Sequence, residues 1–94
     1  MRKPTVDNVC AAYAAKGAKM TVKLLPEDPN FILFEGDQVA FEFIGNLFLA
    51  QAKALNGCAF CLGPKYAGSA LFSKKAKLGF HPHRLPCDSK PTRN

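Results

Sequence analysis

The stretch "DQVAFEFIGNLFLAQAKALNG", residues 37 to 57, decides how the remainder of the chain must be arranged. Asp37 offers a side-chain oxygen to the unpaired N–H groups of a first helical turn, and Asn56-Gly57 supplies a stop, so the spacing predicts one long helix between them. Glu42, Asn46, Leu49, Lys53 and Asn56 recur at helical intervals as a mostly polar stripe. That leaves Val39, Phe43, Ile44, Leu47, Phe48, Ala50, Ala54 and Leu55 as a broad apolar face that has to be buried. At this spacing the phenylalanines read as core, not as a ligand box.

Towards the N-terminus, Thr5 can cap a short helix whose apolar positions Val6, Val9, Cys10 and Tyr13 form one stripe, with Gly17 to end it. "KMTVKLL" then alternates Met20, Val22 and Leu24 against Thr21 and Lys23, the pattern of a half-buried strand, and "PEDPN" is a turn cluster before the apolar run "FILF". The pair predicts a hairpin. Beyond the long helix come three candidate strands, "CAFCL" at 58 to 62, "SALFS" at 69 to 73 and "LGFHPHRL" at 78 to 85, joined by connections short enough for an antiparallel meander. The expected architecture is α+β. It is a single domain over residues 1 to 87, with a short N-terminal helix, a hairpin, and a long helix packed on a mostly antiparallel sheet of about five strands. The polar tail "DSKPTRN", residues 88 to 94, is expected to be disordered.

With 94 residues, nearly half of them hydrophobic and eight of them phenylalanine, the chain has enough apolar surface for a core without staples, so no metal or other cofactor is required for folding. The opening residues lack the apolar run of a signal peptide. The longest apolar segment, 39 to 50, is broken by Glu42 and Asn46 and falls short of the roughly 20 residues that cross a bilayer. These features predict a cytoplasmic protein without a membrane partner, in which the four cysteines are reduced thiols or ligands and not disulfides. Cys10 reads as a small buried hydrophobe.

The net charge of +6 is unevenly placed. Residues 1 to 50 hold five Lys/Arg against six Asp/Glu, whereas residues 51 to 94 hold eight against Asp88 alone. A positive field over the second half favours acidic partners, either nucleic acid or an acid-surfaced protein.

Two clusters carry coordinating side chains. Cys58 and Cys61 have C-x2-C spacing, and His83 with Cys87 has a spacing that would complete four tetrahedral ligands for zinc. However, Ala59 and Phe60 are strand residues rather than turn formers, and in a strand Cys58 and Cys61 face opposite sides of the sheet. By the same alternation His81 and His83 fall on the face opposite Leu78 and Phe80, and Pro82 marks an edge. No metal is therefore expected, with Cys58, Cys61, His83 and Cys87 as the alternative set.

A nucleic-acid surface would draw on Lys65, Tyr66, Lys74, Lys75, Lys77, His81, His83 and Arg84, pairing cations with phosphates and stacking rings on bases. No established nucleic-acid motif accompanies them. For catalysis, Ser69 lacks a nucleophile elbow, and no glycine loop forms a phosphate cradle. A histidine pair beside a cysteine suits acyl or phosphoryl chemistry, but only Asp88 lies nearby to orient a histidine. No catalytic residue is assigned.

Taken together, "FEGD" leading into a helix with "LAQA", a Cys-Gly-flanked strand, "GPK-AGSALF" and a closing "LG-H-HRLPC" resemble the small immunity proteins that accompany bacterial polymorphic toxins. The resemblance spans about Phe31 to Cys87. It implies a small, cytosolic, non-enzymatic protein that inhibits one toxin by occlusion. Inhibitors of nuclease toxins are often acidic, whereas this chain is basic, which points to an acid-surfaced target. The expected docking residues are Tyr66, His81, His83 and Arg84 as anchors, with Lys74, Lys75 and Lys77 steering the encounter.

Overall fold

In the computed structural model, which describes residues 5–54 and 57–86, the first element is helix α1, Val6–Ala15. Thr5 Oγ1 accepts the Asn8 N–H at 3.0 Å, satisfying one donor of the first turn. At the other end Gly17 adopts φ +79°, which lets the Ala18 N–H reach the Tyr13 carbonyl and the Gly17 N–H reach that of Ala14, both at 3.0 Å.

Strands β1, Thr21–Leu24, and β2, Ile32–Glu35, pair antiparallel with Thr21 opposite Glu35 and Leu24 opposite Ile32. The turn lies where the "PEDPN" cluster predicts it: Asp28 Oδ1 accepts the Asn30 N–H at 3.1 Å, and the Leu25 N–H donates to Phe31 O at 2.8 Å. On its other side β1 is met by irregular chain. Met20 bridges Phe72 in parallel, and Val22 O accepts the N–H groups of Lys77 and Leu78 at 2.9 and 3.0 Å. Flanked on both sides, Met20 and Val22 are buried. Thr21, expected on the polar face, is also buried, its hydroxyl 2.6 Å from Ser73 Oγ. Leu24, expected inside, is half exposed at the turn end of the hairpin.

Helix α2, Gln38–Ala52, starts as predicted, with Asp37 Oδ1 accepting the Ala40 N–H at 3.0 Å. Its inward residues are Ala40, Phe43, Leu47, Ala50 and Gln51, at helical spacing. Glu42, Asn46, Leu49 and Lys53 are exposed, as the polar stripe requires. Phe48, expected in the core, is 47% exposed, because it lies at the border of the buried stripe. Helix α1 packs across α2: the Tyr13 and Phe43 rings lie 5.7 Å apart, and Asn46 Nδ2 donates to the Tyr13 hydroxyl at 2.9 Å. The helix stops at Ala52, earlier than Asn56-Gly57. Leu55 and Asn56 lie outside the described residues, as do Cys87 and the tail 88 to 94.

The architecture is α+β, with two helices and a two-stranded antiparallel sheet in place of about five strands. Residues Ser69–Leu71, expected as strand, form a 3₁₀ turn entered through Gly68 at φ +79°. Segments 58–62 and 80–84 do pair antiparallel, but only through isolated bridges, Ala59 with His83 and Leu62 with Phe80. Pro82 sits between the bridges, and its missing N–H leaves one rung half-made.

Phe80 ties these parts together. Its ring centre lies 5.9 Å from Phe34 of β2, 6.2 Å from Phe48 of α2, 6.5 Å from Phe60 and 6.1 Å from Phe72. Aromatic pairs at such distances add to ordinary area burial. Replacing Phe80 by Ala is expected to cost about 3 kcal/mol of unfolding free energy, since it removes one ring from four contacts and leaves a void. Urea unfolding of the variant against wild type measures this loss.

Candidate functional site

The bridges fix which side chains share a face in the late segments. Leu62 and Phe80 exchange two backbone hydrogen bonds, at 3.1 and 2.9 Å, so the next opposed pair, Cys61 and His81, is a non-hydrogen-bonded one, in which side chains approach most closely. Further along, the Phe60 N–H donates to Pro82 O at 3.3 Å and the Arg84 N–H to Cys58 O at 2.7 Å, keeping the same register. Phe60, Leu62 and Phe80 consequently turn towards the core, while Cys61, His81 and His83 are exposed. Cys61 Sγ lies 2.9 Å from His81 Nδ1, and the His81 and His83 rings stand edge to face with centres 6.5 Å apart.

The connection 63–68 folds against this pairing. A Cβ on Gly79 would overlap the Leu62 carbonyl oxygen and come within 2.7 Å of Gly63 Cα, so only glycine lets the two backbones approach this closely. Tyr66 lies over Gly63, and its side chain is 75% exposed. Lys65, Lys74, Lys75 and Lys77 are exposed too, and none makes an ion pair with another described residue. Between Gly57 and Pro86 the chain has no carboxylate at all.

Arg84 behaves differently from the other expected anchors. Its Nη1 donates to the carbonyls of Gln51 at 3.2 Å and Ala52 at 3.3 Å, at the end of α2, and of Ala54 at 2.8 Å, just beyond it. The Gln51 carbonyl also takes the Ala54 N–H at 3.3 Å, and the group sits at the negative end of the helix dipole, so a guanidinium placed there is both a cap and a counter-charge. The side chain is half-buried and committed to the fold. This clamp also accounts for the early helix end.

Cys58 is disulfide-bonded, which corrects the expectation of four reduced thiols. A disulfide sulfur is not a thiolate ligand, so in this state Cys58 drops out of the alternative zinc set of Cys58, Cys61, His83 and Cys87. Among the described residues no three His, Cys, Asp or Glu side chains are placed to hold a metal ion. Cys10 and Cys61 are free thiols. Cys10 is partly buried between the helices, and that burial, reinforced by Asp7, pushes its pKa up. No helix among the described residues is long and apolar enough to cross a membrane.

Two features were not legible from residue types. One is the Cys61–His81 contact, set by a cross-strand register that the intervening connection conceals. The other is a groove of about 400 Å³ between α1 and α2, lined by Val9, Ala12, Tyr13, Leu49 and Ala50 with Asn8, Asn46 and Lys53. Its only sequence signal was Leu49 interrupting the polar stripe of α2.

The chain matches no protein-family model, no curated protein and no solved structure.

Two measurements test these assignments. Arg84→Ala is expected to lower stability by about 2 kcal/mol, because it strips half-buried carbonyls of a charged donor, and Arg84→Lys to recover only part of that. Reducing the disulfide is expected to cost about 2–4 kcal/mol, read as a lower urea midpoint, while alkylation of the oxidised protein followed by peptide mass mapping labels Cys61 and leaves Cys58 unlabelled.

Proposed function

We propose that this is a small non-catalytic binding protein that occludes an acid-surfaced partner protein, in the manner of an immunity-type inhibitor of a bacterial toxin. The observation that carries it is the run from Gly57 to Pro86, which contains no carboxylate and in which Lys65, Lys74, Lys75 and Lys77 stand exposed and form no ion pair among the described residues. Tyr66, His81 and His83 supply exposed rings on the same segments, which suits anchors set in a polar rim. Arg84 is withdrawn from the docking set, because its guanidinium is already spent on the end of α2.

The oxidised Cys58 bears on where such binding takes place. Disulfides persist in oxidising compartments and are rare in the cytosol, so it favours an oxidising location over the expected cytoplasmic one. A nucleic-acid reading draws on the same lysines, and the salt response separates the two partners.

The protein encoded beside this one is the partner to assay first. Wild type is expected to bind it with an association rate that falls as salt rises, and Lys74→Glu/Lys75→Glu/Lys77→Glu to slow association by about tenfold or more while leaving the far-ultraviolet spectrum unchanged. Binding unaffected by the triple reversal would sink the proposed patch. Affinity for a random single-stranded oligonucleotide, with a steep logarithmic loss against salt and no affinity for the protein partner, would replace it by the nucleic-acid reading.

A further inference from the structure

Cys61 and His81 form a pair whose chemistry the proposed binding does not call on. The register sets them directly opposite each other in a non-hydrogen-bonded position, and Sγ and Nδ1 meet at 2.9 Å in the open, not in the core. The second imidazole, His83, stands edge-on to the first with ring centres 6.5 Å apart. Every charged side chain between Gly57 and Pro86 is a cation. A thiol proton can move directly to Nδ1, and the resulting thiolate then faces an imidazolium, the setting that makes a cysteine nucleophilic. Along the extended segment Cys58 is three residues away and points to the other side, so the disulfide there is not the natural target of this thiol. The molecule also carries its own control. Cys10 is equally reduced but partly buried beside Asp7, a setting that disfavours the thiolate.

We propose that Cys61, activated by His81, is a modification site that forms mixed disulfides with small anionic disulfides. In this step Nδ1 of His81, its Nε2 bearing the proton, takes the hydrogen of the Cys61 thiol. The thiolate attacks one sulfur of the incoming disulfide, an S–S bond forms to Cys61 as the original S–S bond breaks, and the departing thiolate takes the proton back from His81. One disulfide is consumed and one is formed, with no other oxidant. The net positive charge of the 57–86 run favours anionic disulfides over cationic ones. This site shares His81 with the docking surface proposed above, but its reaction with a small disulfide is read without any partner protein.

The test uses the full chain carrying Cys10→Ser, with Cys58 left oxidised, and follows thiol release from dithiobis(nitrobenzoate), which is anionic, and from cystamine, which is cationic. The folded protein is expected to react with the anionic reagent about tenfold faster than the same protein in denaturing urea, with the added mass mapping to Cys61. His81→Gln is expected to slow the folded reaction by about fivefold and to shift its pH profile to that of an ordinary thiol. The rate ratio of anionic to cationic reagent should exceed that of free cysteine. His81→Asn is the second variant, and a far-ultraviolet spectrum identical to wild type qualifies either one. A folded rate no faster than the unfolded rate, or a His81 variant with an unchanged rate and pH profile, would overturn the activation. Equal preference for the two reagents would overturn the anionic class.

Discussion

One guanidinium holds the two halves of this protein in place. The last carbonyls of α2 project from a helix end where intrahelical donors run out, and Arg84 reaches them from more than thirty residues later in the sequence. Because the Arg84 backbone N–H is at the same time bonded to Cys58 O, that residue fixes three things together: where α2 ends, where the segment after it begins, and where the closing segment lies. The aromatic cluster depends on this placement. Phe80 can meet Phe34, Phe48, Phe60 and Phe72 only if the segment carrying it runs beside 58–62, with Arg84 seated on the helix end. A charge-assisted bond to a helix end is stronger than a neutral one, and here it acts at a junction where no regular strand could.

How far the sequence reveals this fold depends on whether the signals are local. Asp37 as a cap, Phe43, Leu47 and Ala50 as an inward stripe, and the "PEDPN" turn between two apolar runs are all decided within a few residues, and each is found where the pattern puts it. The late segments fail the same treatment for a physical reason. "SALFS" has strand composition, yet Gly68 at a left-handed φ starts a 3₁₀ turn instead, and Pro82 removes the donor that a continuous ladder between 58–62 and 80–84 would need. Composition likewise marked Arg84 as a surface anchor. Only the three-dimensional position of a helix end more than thirty residues earlier in the chain turns it into a cap, and no local pattern encodes such a distance. The histidines are the intermediate case. Alternation placed His81 and His83 on the outer face as found, but the cysteine they share it with depended on the register.

The two halves also divide the work between them. The first supplies the helices and the hairpin, with its acidic and basic side chains nearly balanced, whereas the second supplies a face of cations and rings mounted on irregular backbone. Irregular backbone of that kind is ordinarily pliable. Here it is held by the cross-strand bonds of Leu62 and Phe80, the close approach of Gly79 to Gly63, the disulfide at Cys58 and the Arg84 cap. Rigidity there lowers the ordering entropy that any association must overcome, which suits the docking role proposed above.

The separation between Arg84 and the helix end it caps has a consequence during synthesis. A ribosome releases α1, the hairpin and α2 well before Phe80 and Arg84 leave the exit tunnel, and elongation proceeds at about 5–20 residues per second. For that interval Phe48 has no Phe80 to lean on, and the last carbonyls of α2 face water. The nascent chain is thus an unfinished two-layer body whose last α2 turn lacks its cap until the segment carrying Phe80 and Arg84 arrives, and that segment closes the fold by acting back on a helix already made.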